Sequence, residues 1–553
     1  MTAPPNLATS ALMLILPLPL MVGGLVVGIG ADRHARLMRR WTTGAAGIAL
    51  VGAVLAAGTY FWGITGSKTF FAAPFPAIPG LMAASVDVNV LTVLMLLLVA
   101  LVGLIVARYS STYLDGDIHA GRFHRWLSLT LGSFLMLIAA GNIWGFLVFW
   151  VVTSLFLHQL LAFYRERPVA VLAARKKYLL HRIADASLFA ALLLISRTLH
   201  TSQFSGIALA LTKIHGTLPE PLQIASGLLV LSAVLKSAQF PFHGWLIQVM
   251  EAPTPVSALL HAGIIYTGAF LLLRMAPIMS QVRWTGDALI VMGLASLAIT
   301  SLMMMTATNI KGSLAYSTCA QMGFMLMECG LGLYSLVLLH IVSHSVYKAH
   351  AFLASGSVVD HFRGPDLPRV VPSATTWKAI ASLITAAPVV GGMAVVFGVP
   401  LRHQAPLIVM GSILTVAISQ LLLQALNMDK IGVRGFLGTM IGLSALISMA
   451  YFGLDILFTK LLGPMLPTGQ GLAGSFQDGL LGLIIAVFVG LLFVQQLLPR
   501  ILHHPLGQAF YVHVYNDMYI DMVFTRLIQR FGPHDTAESL RAVRDDRLWE
   551  LTS

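Results

Sequence analysis

Apolar residues occur along this chain in long runs that short polar or charged segments separate. A helix that crosses a bilayer needs about 20 consecutive apolar residues, so these runs predict about fifteen transmembrane helices. When the runs are this long, only helices satisfy the backbone hydrogen bonds in lipid. The pattern therefore predicts an all-α fold, a polytopic bundle of membrane helices.

Positive charge collects in every second connecting segment. The basic or mixed segments are Asp32–Arg40, Arg108–Arg125, Arg165–Lys177, Lys311, Asp360–Lys378 and Asp429–Arg434. The segments between them are nearly uncharged, and cytoplasmic loops are the ones that retain Lys and Arg. This alternation predicts an N-terminus outside and a cytoplasmic C-terminus. Residues 1–10 contain no Lys or Arg, so we expect no cleaved signal peptide and take Leu12–Gly30 as the first span.

Two predicted spans are interrupted. Pro241 lies inside the apolar run that begins near Leu222, and proline breaks a helix because it removes a backbone donor. Thr254 and Pro255 then fit the N-cap and the first position of a new helix. Broken helices at membrane depth are tolerated where they line a cavity. A sharp cytoplasmic turn is the alternative interpretation.

The composition supports a membrane protein and excludes several functions. Hydrophobic residues make up 57% and charged residues 10% of the chain, whereas soluble domains carry roughly 25% charged residues. The net charge of +12 is explained by the Lys and Arg residues of the cytoplasmic loops. The sequence contains no RNP-like or zinc-finger pattern that would indicate nucleic-acid binding. Cys319 and Cys329 are separated by about 15 Å if helical, too far for a disulfide. No Walker loop, dinucleotide fingerprint, nucleophile elbow or CxxC occurs, so we predict neither a cofactor nor enzymatic activity of the chain's own.

Ionisable residues inside lipid are expensive and are therefore functional candidates. Lys236 lies within an apolar run, and Arg182 and Asp185 share one face of the preceding span. A buried lysine can load and release a proton as a carboxylate approaches or leaves. Asp185 is its candidate partner. The alternatives are a static salt bridge for Lys236 and a local pair at the membrane edge for Arg182 and Asp185.

A second set of candidates is spaced by four residues. His340, His344 and Lys348 form one stripe if the segment is helical, and histidine accepts and donates protons near neutral pH. A zinc site is one rival interpretation, but a lysine shares the face and no Cys or acidic ligand stands near. Satisfied core histidines with no transport role are the other. His261 is either a water-linked bridge or a structural histidine. Lys311 is either a cytoplasmic gate or a positive-inside anchor.

Several of these segments resemble a known family. The stretches that carry the resemblance are Arg182–Asp185, Lys236–Trp245, Glu251–His261, Lys311–Thr318, Gln321–Phe324 and His344–Ser357. They are similar to the proton-pumping membrane subunits of respiratory complex I and Mrp-type antiporters, over about half of the chain, from Arg108 to Asp360. The resemblance implies a central pumping lysine at Lys236, with Arg182 and Asp185 as its partners. It implies a connecting proton relay whose members are His261, Lys311, His340, His344 and Lys348.

The chain departs from the pumping members of that family in one position. They carry Gly-Trp-Glu in the fifth span, where this sequence reads Phe149-Trp150-Val151. The stretches around His243, His261 and Lys348 resemble instead the membrane subunit of the DAB inorganic-carbon accumulation complex, a system of prokaryotic inner membranes. That resemblance implies a zinc-containing, carbonic-anhydrase-like (DabA-like) partner that hydrates CO2. The membrane subunit would then supply energy from a gradient of protons or Na+.

Two other functions remain open from the sequence. One is a proton-pumping or cation/proton antiporter subunit, and the other is a scaffold that anchors a soluble enzyme without conducting ions.

We predict four segments along the chain: N-terminal transmembrane helices over residues 1–107, a proton-conducting core over 108–360, divergent transmembrane helices over 361–500, and a cytoplasmic or interfacial tail over 501–553. Aromatic and charged residues from Phe510 to Phe531 predict an interfacial or partner-docking helix in that tail.

Overall fold

Helices dominate the protein, as the apolar runs predict. The computed structural model describes residues 7–62, 71–72, 85–356, 376–399, 405–426, 433–463, 475–501 and 503–531. Within these ranges the extended structure is one short antiparallel pair, β1 (Phe71–Ala72) and β2 (Ser85–Val86). The all-α prediction is confirmed. The predicted boundary at residues 360 and 361 and the tail from residue 532 onward lie outside the described residues.

The first half of the chain contains long helices and a group of short ones. The helices up to residue 282 are α1 (Leu7–Ile15), α2 (Leu18–Val22), α3 (Ala35–Trp62), α4 (Val90–Tyr113), α5 (Ala120–Ala139), α6 (Ile143–Leu161), α7 (Pro168–Leu199), α8 (Phe204–Leu211), α9 (Glu220–Lys236), α10 (Gly244–Gln248), α11 (Thr254–Ala262), α12 (Thr267–Arg274) and α13 (Ala276–Met279). A π-helical turn (Gly23–Val27) follows α2, and 3-10 turns (Val249–Glu251, Ile264–Tyr266) flank α11.

The second half consists mostly of long helices. They are α14 (Arg283–Thr306), α15 (Ile310–Gly330), α16 (Tyr334–Leu353), α17 (Thr376–Val396), α18 (Ala405–Leu426), α19 (Val433–Leu462), α20 (Ser475–Ile501), α21 (Pro505–Tyr515) and α22 (Ile520–Phe531). One 3-10 turn (Ala354–Gly356) follows α16, and another (Asp517–Tyr519) precedes α22.

The described helices are suited to a membrane. Eleven of the helical segments in these ranges are long and apolar enough to cross a bilayer. Two more, α5 and α15, have 20 and 21 residues and are long enough but less apolar. The protein is therefore a multi-pass membrane protein, and the total of about fifteen crossings stays a prediction.

The chain divides into two compact units. The first comprises Met1–Val282, Ile341–Ser355 and Ile520–Ser553, and the second comprises Arg283–His340 and Gly356–Tyr519. Helix α16 contributes its first part to the second unit and the remainder to the first unit. The predicted fourfold division of the sequence is a separate matter and stays a prediction.

The predicted helix break lies in the first unit. Helix α9 ends at Lys236, and the chain resumes as α10, α11 and α12 after non-helical residues. The apolar window of the segment Thr254–Arg274 is entirely buried within the protein, and Lys236 and Ile264 line a cavity beside it. These observations favour the cavity-lining interpretation over a cytoplasmic turn. One detail of the prediction is wrong, because Pro253 occupies the cap and Thr254 is already helical.

The second unit has its own apolar core. Helices α14 and α15 approach closely at Gly293 and Gly323. The Gly323 carbonyl lies where a Cβ of residue 293 would be, so only glycine fits at this position. Ile290, Met327 and Ile484 belong to the buried cluster that joins this pair to α18 and α20. A second cluster around Val390 packs α17 against α18 and α19.

Candidate functional site

Lys236 is the centre of a buried ionic cluster in the first unit. It is the last residue of α9 and is 4% exposed. Its Nζ lies 3.2 Å from Oδ1 of Asp185, and a guanidinium nitrogen of Arg182 lies 2.6 Å from Oδ2 of the same carboxylate. The structure thus brings together the three residues that the sequence singled out. One carboxylate pairs with two cations, so the cluster carries a net charge of +1 when all three groups are ionised.

An aromatic ring covers the Lys236 ammonium from helix α6. The Nζ lies 4.5 Å from the ring centroid of Trp150, which directly precedes Val151. A cation–π contact away from water contributes about 2 kcal/mol. The end of a helix also favours a positive charge, and Lys236 closes α9. Trp150 of helix α6 and the end of helix α9 therefore both stabilise a positive charge at Lys236. Asp185 is the carboxylate that pairs with this charge.

A small cavity adjoins this cluster. It has room for roughly one water molecule. Its wall contains Lys236, Trp150, Ser154, His181 and Trp245. Residues that carry hydroxyl, imidazole and ammonium groups thus line one water-sized space inside the protein.

Two lysines that sequence analysis assigned to a basic loop are buried instead. Helix α7 begins at Pro168, so Lys176 and Lys177 lie two turns inside it, and both side chains are fully buried. The Nζ of Lys177 donates to the backbone oxygen of Ser154 at 2.6 Å and to its hydroxyl at 3.1 Å. The hydroxyl of Ser154 also contacts Nδ1 of His181 at 3.0 Å.

The sequence contains a signal that would have identified these residues. Lys177, His181 and Asp185 are spaced by four, which places them on one stripe of a helix. The same spacing drew attention to the histidines of α16. The density of charge between Arg165 and Lys177 concealed it, because a basic run is usually a loop at the cytoplasmic surface.

Helix α22, the last of the described helices, contacts an earlier part of its own chain. The Nζ of Lys176 lies 2.8 Å from each carboxylate oxygen of Asp521, and the Gln248 amide donates to Oδ2 of Asp521 at 2.6 Å. Gly244 has no Cβ and thereby leaves room for this carboxylate. The sequence predicted an interfacial or partner-docking helix here. The structure shows that at least its Asp521 face is occupied by an internal contact, because Lys176 needs a counter-charge once it is buried.

Asp521→Ala is expected to lower the free energy of unfolding by about 3 kcal/mol, because it leaves the Lys176 ammonium buried without this carboxylate. Thermal unfolding of the purified chain in detergent measures the change. Asp478→Ala is the matched control, since Asp478 is exposed. Equal melting temperatures for the two variants would contradict the proposed role of the contact.

Three members of the predicted relay lie together in the first unit. The Tyr266 hydroxyl donates to the backbone oxygen of His261 at 2.9 Å and lies 2.8 Å from Nδ1 of His344. Since that hydroxyl has one proton, Nδ1 of His344 is the donor in the second contact. The Lys348 side chain is fully buried and interacts electrostatically with His261.

His340 belongs to the second unit and has its own acidic partner. Its Nδ1 lies 3.0 Å from Oε2 of Glu328, and its Nε2 lies 2.8 Å from Oε1 of Gln321. Glu328 is 2% exposed. Both ring nitrogens therefore lie within hydrogen-bond distance of side-chain oxygens. Sequence analysis missed Glu328, although an acidic residue in an apolar run is itself a signal.

Lys311 lies at the start of α15 in the second unit. Asn309 caps this helix by accepting from the backbone of Gly312 at 2.5 Å, and Lys311 follows two residues after the cap. A positive charge at a helix N-terminus is unfavourable for the helix. The helix dipole therefore does not favour Lys311 at this position, and both predicted roles, gate and anchor, remain predictions.

The geometry does not suit the zinc interpretation of the histidine stripe. Both ring nitrogens of His340 contact side-chain oxygens of Glu328 and Gln321, and Nδ1 of His344 contacts the hydroxyl of Tyr266. Across the described ranges, no three His, Cys, Asp or Glu side chains come together in a way that would hold a metal ion. The stripe is arranged for hydrogen bonding.

Comparison with known proteins extends the resemblance. Residues 140–419 match the family described as NADH:quinone oxidoreductase/Mrp antiporter, TM, and residues 82–124 match the complex I chain 5 N-terminus. The fold is similar to a chain in the structure of the Mrp complex from Dietzia sp. DQ12-45-1b, with a TM-score of 0.57 and 21% identity. That alignment covers 98% of this chain and 60% of the other, so this chain spans less than two thirds of the Mrp chain.

Two full-length relatives are more similar in sequence. The probable inorganic carbon transporter subunit DabB2 of Halothiobacillus neapolitanus is 38% identical over 95% of this chain and 94% of its own length. The probable inorganic carbon transporter subunit DabB of Hydrogenovibrio crunogenus is 36% identical over 81% of this chain and 85% of its own length. The similarity thus extends well beyond the half of the chain that the motifs indicated. The chain belongs to the NADH:quinone oxidoreductase/Mrp antiporter family of membrane subunits and, within it, to the DabB group of inorganic carbon transporter subunits.

Proposed function

We propose that this chain is the energy-coupling subunit of an inorganic carbon uptake complex. It conducts protons across a prokaryotic inner membrane, and their flow drives directional hydration of CO2 to bicarbonate in a zinc-bearing, carbonic-anhydrase-like partner. The family and the full-length relatives support the carbon transport part of this proposal. Positive loops support an N-terminus outside and a cytoplasmic C-terminus.

The observation that carries the proposal is the buried cluster around Lys236. Asp185 contacts two cations at 3.2 and 2.6 Å inside a membrane helix bundle. Burying these charges costs free energy, and charged residues at such positions commonly have a function. With a net charge of +1, the cluster relaxes when Lys236 gives up its proton, because Asp185 and Arg182 then remain as a neutral pair. Loading and unloading Lys236 is therefore the step that we assign to proton transfer.

The remaining predicted residues lie partly in the first unit and partly in the second. In the first unit, the Tyr266 hydroxyl contacts the backbone oxygen of His261 and Nδ1 of His344, and Lys348 interacts electrostatically with His261. In the second unit, His340 contacts Glu328, a carboxylate that sequence analysis did not include. We assign relay roles to these groups and to Lys311, and we assign the hydration chemistry to the partner.

Uptake in a host that lacks its own carbonic anhydrase tests the proposal. When the chain and its zinc-bearing partner are expressed together, we expect short-term accumulation of labelled bicarbonate that a protonophore abolishes. Either subunit alone should give no accumulation. Accumulation that persists after the proton gradient collapses would overturn the proposal and would favour a non-conducting scaffold.

A second function is favoured by the similarity to the Mrp chain, which extends over 98% of this chain. In that case the chain is a cation/proton antiporter or proton-pumping subunit. Inverted membrane vesicles discriminate the two functions. Na+ added to respiring vesicles should release protons if antiport occurs, and it should leave the pH gradient unchanged if the chain conducts protons alone.

A further inference from the structure

We propose that Lys177, Ser154 and His181 form a proton relay that delivers protons to Lys236 through the adjoining cavity. This inference rests on the proposed function, because it identifies a branch of the same proton path. None of the three residues belongs to the relay that the sequence motifs imply. Their contacts lie on helices α6 and α7 of the first unit.

Lys177 is the first group of the branch. Its side chain is fully buried, and the contacts of its Nζ are the two oxygens of Ser154. Among the described residues no carboxylate lies within ion-pair distance of it. A permanent ammonium is expensive in such a place, whereas an amine that is protonated only in passing avoids that cost.

Ser154 and His181 continue the branch towards the cavity. The hydroxyl of Ser154 lies 3.1 Å from Nζ of Lys177 and 3.0 Å from Nδ1 of His181, so it can accept from one and donate to the other. The imidazole is buried, and its Nε2 has no hydrogen-bond partner among the described residues. His181 lines the water-sized cavity together with Lys236. A water in that cavity would satisfy Nε2 and join the imidazole to the amine.

The proton steps balance along this branch. Protonated Lys177 gives a proton to the Ser154 oxygen while the Ser154 hydroxyl gives its own proton to Nδ1 of His181. The imidazolium releases its Nε2 proton to the cavity water, which passes a proton to neutral Lys236. Ser154 and His181 then carry their original number of protons, Lys177 has lost one and Lys236 has gained one.

Variants that keep the contacts but cannot pass a proton test the relay. Lys177→Arg keeps a cation and its donors but does not release a proton, and His181→Asn retains a group that can bond Ser154 but does not titrate. In the complex with its partner, both should lower protonophore-sensitive bicarbonate uptake by on the order of 10–100-fold. Ser154→Ala should lower this uptake by a similar factor, whereas Ser154→Thr, which keeps the hydroxyl, should retain it.

Matched controls separate a relay from a structural role. Ser232→Ala removes another buried hydroxyl, one that bonds the backbone of Ala184 at 2.9 Å, and His124→Asn removes another buried imidazole. Both should retain uptake when membrane abundance and partner co-purification match the unmodified chain. Full uptake by Lys177→Arg and His181→Asn would overturn the relay. If Lys236→Met still abolishes uptake in that case, the proposed function stands, and if wild-type uptake does not respond to a protonophore, the proposed function itself fails.

Discussion

Lys236→Met is expected to reduce protonophore-sensitive bicarbonate uptake by about 100-fold or more, because methionine cannot carry the proton that we assign to Lys236. Methionine preserves much of the length of the side chain and removes the ammonium. The chain should still fold, since Arg182 lies 2.6 Å from Asp185 and remains its partner. Uptake of labelled bicarbonate by cells that contain the complex measures the loss, normalised to the amount of the chain in the membrane.

Two comparisons make this prediction specific. Asp185→Asn should show a similar loss, because a neutral amide does not stabilise the protonated form of Lys236 as a carboxylate does. Lys213→Met is the matched control, since Lys213 is exposed after α8. Wild-type uptake by Lys236→Met at equal abundance would remove Lys236 from the proton path.

Arg274→Met is expected to destabilise the protein by about 3–5 kcal/mol, because it strands a buried carboxylate. Arg274 forms an ion pair with Asp87, and it donates to the hydroxyl of Thr92 at 2.7 Å and to the backbone oxygen of Ile138 at 2.6 Å. The Asn89 amide donates to the same carboxylate at 2.7 Å. This cluster ties the loop before α4 and the end of α5 to the end of α12, and no predicted path residue belongs to it.

Thermal unfolding in detergent and membrane abundance measure that loss. The double variant Asp87→Asn with Arg274→Met removes both charges, so it should recover a large part of the lost stability. A double variant as unstable as Arg274→Met alone would show that hydrogen bonds of the guanidinium, and not the stranded charge, dominate. Uptake per folded molecule should remain near the unmodified value, in contrast to Lys236→Met.

The sequence was a good guide to the helices because membrane insertion depends mainly on local composition. An apolar run predicts its own span through the free energy of transfer to lipid, whatever the rest of the chain does. The break after Lys236 was equally local, since Pro241 excludes a continuous helix there. The contact between Arg182 and Asp185 followed from their spacing of three on one helix.

The same local argument failed where burial depends on distant segments. Lys177 was interpreted as part of a cytoplasmic loop because nothing in its neighbourhood shows that α6 covers it. Asp521 is 345 residues from Lys176 in the sequence, so no local pattern pairs the two residues, and the interfacial or partner-docking role of its helix stays a prediction. Glu328 drew no attention until the structure placed it 3.0 Å from His340.

By itself, the sequence determined an all-α membrane protein with a broken helix, a lysine at the break, and motifs that identify its family. Those features are encoded residue by residue, in transfer free energy, proline geometry and side-chain type. Only the tertiary structure decided that Lys236 meets Asp185 and the face of Trp150, that a water-sized cavity joins it to His181, and that Asp521 neutralises Lys176. These contacts join helices that are far apart in the sequence, and their existence depends on how the helices pack, which no local pattern encodes.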